Sequence, residues 1–213
     1  MSNTPTIVKY LGRSDYLQTW ADMKDFTHRR DISSADELWI TEHAPVFTQG
    51  LNGKPEHILN SAEIPVVQID RGGQVTYHGP GQLVVYCLLN IQRLGFGVRA
   101  LVSVIELSII ELLTRYDIDA FTRADAPGVY VYQTESVPMA KIAALGLRIR
   151  KGCCYHGLSL NIDMDLTPFS RINPCGFEGL AVTQMADLNA RTTLQQAGQE
   201  LAAILIQRIN QDH

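Results

Sequence analysis

The sequence predicts an α+β fold in which a mixed or antiparallel sheet is covered by a few long helices. In this chain of 213 residues, 46% are hydrophobic and 19% are charged, which is typical of a globular protein with a substantial core. Short apolar segments bounded by glycine and proline occur between long helical ones, without a regular strand–helix–strand alternation. No linker, repeat or low-complexity segment divides the chain, so we expect one domain over residues 1–213.

Three segments have the helical spacing of apolar residues. The first follows Ser14, which can act as its N-cap, the second covers residues 98–116, and the third covers 193–209. The faces expected to be buried comprise Leu17, Trp20, Met23 and Phe26 in the first helix and Leu101, Val104, Ile105, Ser108 and Leu112 in the second. We expect Glu106 and Arg115 to lie away from the buried face of the second helix.

Strand-like segments occur at 37–41, 65–70 and 83–90 and, further along, at 128–132, 141–149 and 155–162. A shorter apolar stretch covers residues 7–11. The segment 83–90 is almost continuously apolar, as expected of a buried strand, and we expect Cys87 within it to be a small core residue.

The charge balance and the apolar segments exclude several classes of partner. With 18 Lys and Arg against 22 Asp and Glu, the net charge of −4 supplies no overall positive field for nucleic acid. The longest apolar run, 83–89, is too short to cross a bilayer, so no membrane association is expected. The start of the chain lacks the pattern of a secretory signal, and the four cysteines lack CxxC spacing. We therefore expect a cytoplasmic protein with free thiols and no metal.

The segment 71–82 reads Arg-Gly-Gly-Gln-Val-Thr-Tyr-His-Gly-Pro-Gly-Gln and joins two predicted strands. Its glycines allow backbone N–H groups to approach a ligand closely, and Arg71, Tyr77 and His78 add functional groups that a hairpin does not need. The alternative is a glycine-rich turn between buried strands. The pattern matches neither a phosphate-binding P-loop nor a dinucleotide fingerprint.

Two further segments contain reactive side chains. Lys141 interrupts an apolar stretch, so it either reaches the surface or is partly desolvated with a lowered pKa. Cys175 lies in Asn-Pro-Cys-Gly, which predicts a tight loop with an accessible sulfur, although an inert turn thiol is the alternative. His78 or His156 could pair with Cys175, or each could be a hydrogen-bonded structural histidine.

Taken in order along the chain, the segments 71–82, 141–146, 155–161 and 171–176 resemble the lipoyl(octanoyl) transferases of lipoate biosynthesis. The resemblance covers most of the chain and implies an α+β fold like the catalytic domain of biotin and lipoate protein ligases. The implied reaction moves an octanoyl group from octanoyl-acyl carrier protein to a lysine on the lipoyl domains of 2-oxoacid dehydrogenases or on the glycine-cleavage H protein. It implies no cofactor.

The resemblance also implies roles for individual residues. Cys175 carries the acyl group as a thioester, and Lys141 is the active-site lysine. The residues implied to bind substrate are Arg71, Gly72, Gly73, Gln74, Val75, Thr76, Tyr77, His78, Ala144, Leu145, Gly146, Gly157, Leu158 and Ser159.

The residue chemistry agrees with these roles, because a lysine ammonium beside a thiol stabilises the thiolate, and acyl transfer from a thioester to an amine needs no ATP. Two alternatives stay open: an ATP-dependent lipoate or biotin ligase on the same fold, and a non-catalytic binder of lipoyl domains. Between positions 136 and 162 no acidic residue occurs, whereas Lys141, Arg148, Arg150 and Lys151 lie there, with Arg171 close to Cys175. This distribution predicts a basic docking rim for acidic protein partners.

Overall fold

The computed structural model describes residues 5–132 and 138–211, and its main feature is a sheet of seven strands. In sheet order these are β1 (Ile7–Ser14), β2 (Glu37–His43), β6 (Gln82–Leu88), β10 (Cys153–Asn161), β9 (Met139–Arg150), β8 (Val129–Tyr132) and β7 (Ala120–Thr122). Strands β1 and β2 are parallel and every other neighbouring pair is antiparallel. The predicted α+β class with a mixed sheet is confirmed.

Three long helices cover the two faces of this sheet. Helices α2 (Val98–Thr114) and α3 (Leu194–Gln211) share one apolar cluster with the residues of β6 that face them, Leu83, Val85 and Cys87. Helix α1 (Tyr16–Arg29) packs on the opposite face, where Met23 contacts a cluster that includes Val84 and Tyr86. This alternation follows from the two-residue period of a strand, and it makes β6 buried on both faces. Among the helices of the described ranges, none is long and apolar enough to cross a lipid bilayer.

Three details of the predicted helices are wrong. The N-cap of α1 is Asp15, whose carboxylate accepts from the Gln18 amide at 2.8 Å, because the Ser14 hydroxyl instead contacts the Thr41 hydroxyl at 2.7 Å and joins β1 to β2. Leu17 is exposed, since α1 buries the face that contains Met23. In α2 the predicted apolar face is buried, but Glu106 is buried as well, at 8% exposure.

A second, smaller sheet places the glycine-rich segment beside the large one. It consists of β4 (Val66–Gln68), β3 (Val46–Gln49) and β5 (Val75–His78), with β3 in the middle. The segment 71–82 is therefore not a loop throughout, because β5 is a buried strand antiparallel to β3. Tyr77 on β5 packs its ring against Phe47 and Phe169, and these contacts hold β5 between the small sheet and the segment that leads to Cys175.

Candidate active site

Cys175 lies in a tight turn, as the Asn-Pro-Cys-Gly pattern predicts. The Gly176 amide donates to the Asn173 carbonyl at 2.9 Å, and Cys175 has φ +57°. A left-handed conformation costs a non-glycine residue about 1 kcal/mol or more, so the turn must be held by its surroundings. The Asn173 amide supplies part of that support by donating to the His57 carbonyl at 2.8 Å. The thiol is half-buried.

Lys141 is the hydrogen-bond partner of this thiol. Its Nζ lies 3.1 Å from Cys175 Sγ and 3.0 Å from the Pro127 carbonyl oxygen, and it sits 5.0 Å from the centre of the Tyr130 ring. Lys141 is 3% exposed, so the surface alternative is wrong. Its backbone is also tied to the segment after the cysteine turn, since the Lys141 amide donates to the Ala181 carbonyl at 2.8 Å. These contacts join β9 to the turn that carries the thiol.

The charge state of Lys141 follows from opposing effects. Burial alone lowers the pKa of its ammonium. The neighbouring Cys175 thiolate and the Tyr130 hydroxyl raise this pKa by more than burial lowers it, so the net pKa is above the ordinary lysine value. The lowered pKa expected from burial is therefore wrong for the state in which Cys175 is a thiolate. In that state Lys141 is a fixed ammonium that faces the sulfur.

The other three cysteines differ from Cys175 in burial. Cys87, Cys153 and Cys154 are all buried, and burial raises the pKa of each thiol, to about 12 for Cys87. The prediction of Cys87 as a core residue is confirmed at 0% exposure. Within the described residues, Cys175 is thus the cysteine that combines solvent access with a neighbouring cation.

A cavity of about 440 Å³ opens beside this pair. Its walls include Cys175 and Lys141 and nearly all the residues expected to bind substrate: Arg71, Gly72, Gly73, Gln74, Val75, Thr76, His78, Ala144, Leu145, Gly146, Gly157, Leu158 and Ser159. Tyr77 is the exception, because its ring points away from the cavity and packs against Phe47 and Phe169 in the core of the small sheet. The other lining residues are Tyr16, Val84, Tyr86, Val98, Val102, Asp125, Ala126, Pro127, Leu147, His156 and Phe177.

Arg71 is a buried cation in the cavity wall. Its guanidinium donates to the Thr48 carbonyl at 2.7 Å, to the Thr48 hydroxyl at 3.0 Å and to the Gly72 carbonyl at 2.9 Å. Burial lowers its pKa, and the charge of Cys175 opposes that effect. Arg71 therefore fixes the glycine-rich segment to β3 and adds positive potential on the side of the cavity that faces the thiol.

Both candidate histidines line the cavity, but each has a hydrogen-bond partner of its own. His78 Nδ1 lies 2.7 Å from Gln82 Oε1, and burial lowers the pKa of His78 to about 3, so this ring is neutral. His156 Nε2 lies 3.0 Å from Asp70 Oδ1. The structure thus pairs Cys175 with Lys141 rather than with a histidine.

The chain is similar in sequence and fold to catalytic domains of known lipoyl and biotin ligases. Residues 15–206 match the family model described as the lipoyl protein ligase A/B catalytic domain. The fold is shared with the bipartite lipoate protein ligase of Thermoplasma acidophilum, with a TM-score of 0.75, 13% identity and coverage of 97% of this chain and 84% of that one. Biotin protein ligase from Aquifex aeolicus matches with a TM-score of 0.54, 11% identity and coverage of 97% and 68%. The fold is that of a lipoyl or biotin ligase catalytic domain.

Relatives of much higher sequence identity are octanoyltransferases. The chain is 57% identical to the octanoyltransferase of Shewanella sediminis over 201 residues, which cover 94% of this chain and 89% of the relative. It is also 55% identical to the octanoyltransferase of Shewanella baltica strain OS155 over 213 residues, 100% of this chain and 95% of the relative. The chain therefore belongs to the octanoyltransferase family, and it is an acyltransferase.

Proposed function

We propose that this chain, acting as one catalytic domain over residues 1–213, transfers an octanoyl group from octanoyl-acyl carrier protein to a lysine of a lipoyl domain. The acceptors are lipoyl domains of 2-oxoacid dehydrogenases and the glycine-cleavage H protein, and the acyl group is carried as a thioester on Cys175. The observation that carries the proposal is the 3.1 Å contact between Cys175 Sγ and Lys141 Nζ in the wall of the cavity.

In the first half-reaction the Cys175 thiolate attacks the carbonyl carbon of the donor thioester. A new carbon–sulfur bond forms to Cys175, the bond to the donor sulfur breaks, and the Lys141 ammonium gives a proton to the departing thiolate. One thioester replaces another, so no ATP is required. Lys141 is left as a neutral amine beside an uncharged thioester.

The loss of charge at Cys175 prepares Lys141 for the second half-reaction. Once the thiolate is acylated, the largest effect that raises the pKa of Lys141 is gone, and burial then favours the neutral amine. This amine takes a proton from the incoming lysine ammonium. The freed amine attacks the thioester, an amide bond forms, the Cys175 thiolate leaves, and the second amine proton passes to solvent.

The cavity supports the choice of an acyl substrate. Val75, Leu145 and Leu158 supply apolar walls near the reacting pair. Burial of an alkyl chain there contributes about 0.8 kcal/mol per CH₂, which favours a medium-length chain over a short one. For the oxyanion, the backbone N–H groups near His78 and Gly79 remain the proposed donors, because the Asn173 side-chain amide contacts His57 Nδ1 at 3.4 Å.

The basic rim is the proposed docking surface for acidic partners. Arg148, Arg150 and Lys151 are exposed at the end of the β9–β10 hairpin, and Arg148 follows Leu147, which lines the cavity. Lys141 is buried and is not part of the rim, and Arg171 contributes less because it pairs with Glu63 at 3.6 Å. We expect the rim to steer the carrier protein in a salt-dependent way.

The proposal is tested by octanoylation of an apo lipoyl domain with octanoyl-acyl carrier protein as donor and no ATP. We expect transfer to proceed, with Cys175→Ala as the inactive control. A strict requirement for ATP and free octanoate would instead identify a ligase, and binding of the lipoyl domain without transfer would identify a non-catalytic binder. Either result would overturn the proposal.

A further inference from the structure

A single peptide group lies between Lys141 and a buried carboxylate. The carbonyl oxygen of Pro127 accepts from Lys141 Nζ at 3.0 Å, and the N–H of the same peptide unit, on Gly128, donates to Glu106 Oε1 at 2.8 Å. A cation therefore contacts one end of this planar group and an anion the other. Hydrogen bonds arranged in such a chain polarise one another.

Position 128 leaves no room for a side chain on the other side of this peptide. Gly128 has φ +135°, and a Cβ there would lie 2.8 Å from the Ala143 carbonyl oxygen and 3.0 Å from Lys141 Nζ. The Tyr130 hydroxyl also donates to the Ala126 carbonyl at 2.9 Å, which anchors the same loop to β8. The Pro127–Gly128 peptide is thus fixed between α2 and the lysine.

Glu106 is otherwise a costly residue for its position. It is 8% exposed beside Gly128, and burial raises the pKa of its carboxyl above the ordinary value, although the Gly128 N–H and the Lys141 charge oppose that effect. A buried carboxylate without a partner is strongly destabilising, so its retention requires a compensating charge. In the described part of the chain no carboxylate forms a direct salt bridge with Lys141, so the peptide is the link to that charge.

We propose that Glu106 is a positioning residue that, through the Pro127–Gly128 peptide, supplies the fixed counter-charge of Lys141 and so sets the balance between the two half-reactions. The inference rests on the proposed role of Cys175 and Lys141. In the resting enzyme the ammonium is shared between the thiolate and Glu106, so Glu106 weakens the stabilisation of the thiolate. In the acyl-enzyme, Glu106 favours the return of a proton to Lys141 and so assists the attack by the acceptor amine.

Removal of this charge should therefore change the two half-reactions in opposite directions. Without the carboxylate, Lys141 stabilises the Cys175 thiolate more strongly, and thiol reactivity rises. The acyl-enzyme, however, has a weaker proton acceptor, and transfer to the lipoyl domain slows. A purely structural role predicts that both rates fall together, because a displaced lysine serves neither step.

Several other groups face the reacting pair and are left unchanged by the test. They are Tyr130 on β8, Arg71 before β5, the Arg123–Asp125 ion pair near the Tyr130 ring, and His57 beside the cysteine turn. Because they are common to all variants, a difference between variants reports on Glu106.

The experiment compares Glu106→Gln with the wild-type enzyme and with Glu111→Gln. The amide oxygen that Glu106→Gln introduces can still accept from the Gly128 N–H, so the charge is lost but the hydrogen bond is kept. Glu111 lies on the same helix but pairs with Arg115 and Arg208 at its surface, so its substitution controls for loss of a carboxylate from α2. The first readout is the rate of Cys175 alkylation by iodoacetamide across the range in which thiols ionise.

We expect the pH–rate profile of alkylation to move to lower pH in Glu106→Gln, with about a three- to tenfold faster reaction near neutral pH. Single-turnover transfer from the octanoyl-enzyme to the lipoyl domain should slow several-fold, and Glu111→Gln should match the wild type in both. An unchanged alkylation profile in Glu106→Gln, or a fall in both rates, would overturn the inference.

A conservative variant covers the case in which Glu106→Gln does not fold. Glu106→Asp keeps the charge and should retain a profile close to that of the wild type, whereas a shift to lower pH would contradict the role of charge. Alkylation does not depend on octanoyl transfer. If the wild-type enzyme forms no octanoyl adduct on Cys175, the proposed function fails, while the alkylation comparison still decides whether Glu106 acts on the pair.

Discussion

Replacement of Lys141 by methionine tests the ion pair at the centre of the site. Methionine keeps most of the length and packing of the buried side chain but removes the ammonium, which lies 3.1 Å from Cys175 Sγ. We expect the thiolate to become less populated near neutral pH, so that Cys175 reacts more slowly with both alkylating agents and the acyl donor.

The expected decrease in the alkylation rate follows from the distance between Lys141 Nζ and Cys175 Sγ and from the burial of Lys141. Coulomb's law for unit charges 3.1 Å apart gives about 5 kcal/mol at an effective dielectric constant of 20, which is an upper limit. Hydrogen bonds to charged groups contribute about 1.5–3 kcal/mol in mutational studies. At about 1.4 kcal/mol per factor of ten, we expect alkylation near neutral pH to slow by about 10- to 100-fold.

The assay is the second-order rate constant for alkylation of Cys175 by iodoacetamide, assigned by peptide mass mapping. Lys151→Met removes an exposed lysine at the hairpin tip and is the matched control. Thermal melting checks the fold, and we expect a lower but still cooperative melting transition in Lys141→Met, because the Pro127 carbonyl loses its donor and Glu106 loses its compensating charge. A folded Lys141→Met protein that alkylates at the wild-type rate would refute the argument.

Three further changes test the cavity, the docking rim and the support beneath the site. Gly146→Val should abolish most octanoyl transfer in a folded protein, since a Cβ at position 146 would lie 2.9 Å from Arg71 Cδ in the cavity wall. Gly97→Ala is the control and should leave octanoyl transfer unchanged, because a Cβ at position 97 would have no atom within 4 Å. Charge reversal of Arg148 and Arg150 should raise the KM for the carrier protein several-fold at low salt, and less at high salt. Asp70→Asn should lower the free energy of unfolding near neutral pH by about 1.5–3 kcal/mol, as measured by denaturant titration, because the carboxylate accepts several hydrogen bonds.

The stability that Asp70 contributes depends on pH, because its surroundings shift the pKa of its carboxyl. Burial raises the pKa of this carboxyl, but hydrogen bonds from His156, Tyr155 and Trp20 outweigh burial and hold it far below its ordinary value. The stabilisation is therefore complete above the ordinary carboxyl pKa and is lost as pH falls toward the folded-state value. A difference between Asp70→Asn and wild type that persists or grows on acidification would contradict this assignment.

Specific results would also contradict the predictions for Gly146→Val and for charge reversal of Arg148 and Arg150. Normal transfer by Gly146→Val would place the acyl chain outside this cavity. For the rim, Arg191→Glu is the control, because it reverses an exposed charge in another part of the fold. An equal change in KM for Arg191→Glu and for the Arg148 and Arg150 variant would indicate a general effect of net charge rather than a docking site.

Local pattern predicts those elements whose burial is continuous. The apolar run at 83–90 and the spacing in α2 identify a central strand and a core helix, because strand and helix periods appear directly in the sequence. The same patterns miss β5, since this strand is only four residues long between glycine-rich flanks and its pairing with β3 is a long-range contact. Tyr77, which the sequence groups with the substrate-binding residues, lies outside the cavity lining, and a segment interpreted as a loop has no defined faces from which to predict this.

The site depends on contacts that sequence spacing does not contain. Lys141 and Cys175 are separated by 34 positions, and the family resemblance rather than local pattern decides between a surface and a buried lysine. The apolar pattern of α2 predicts that Glu106 lies away from the buried face, because a carboxylate is counted as a polar, solvent-facing side chain. The partner of Glu106 is a backbone N–H 22 positions away, which no pattern of side chains predicts.

We propose that Cys175 Sγ carries the octanoyl group, and mass spectrometry of the intact protein and of its peptides detects this adduct. After the enzyme is mixed with octanoyl-acyl carrier protein in the absence of acceptor, we expect one octanoyl mass on the peptide that contains Cys175, and none in Cys175→Ala. Addition of an apo lipoyl domain should remove the adduct. An adduct on Cys153 or Cys154, or full transfer activity by Cys175→Ala, would contradict the account.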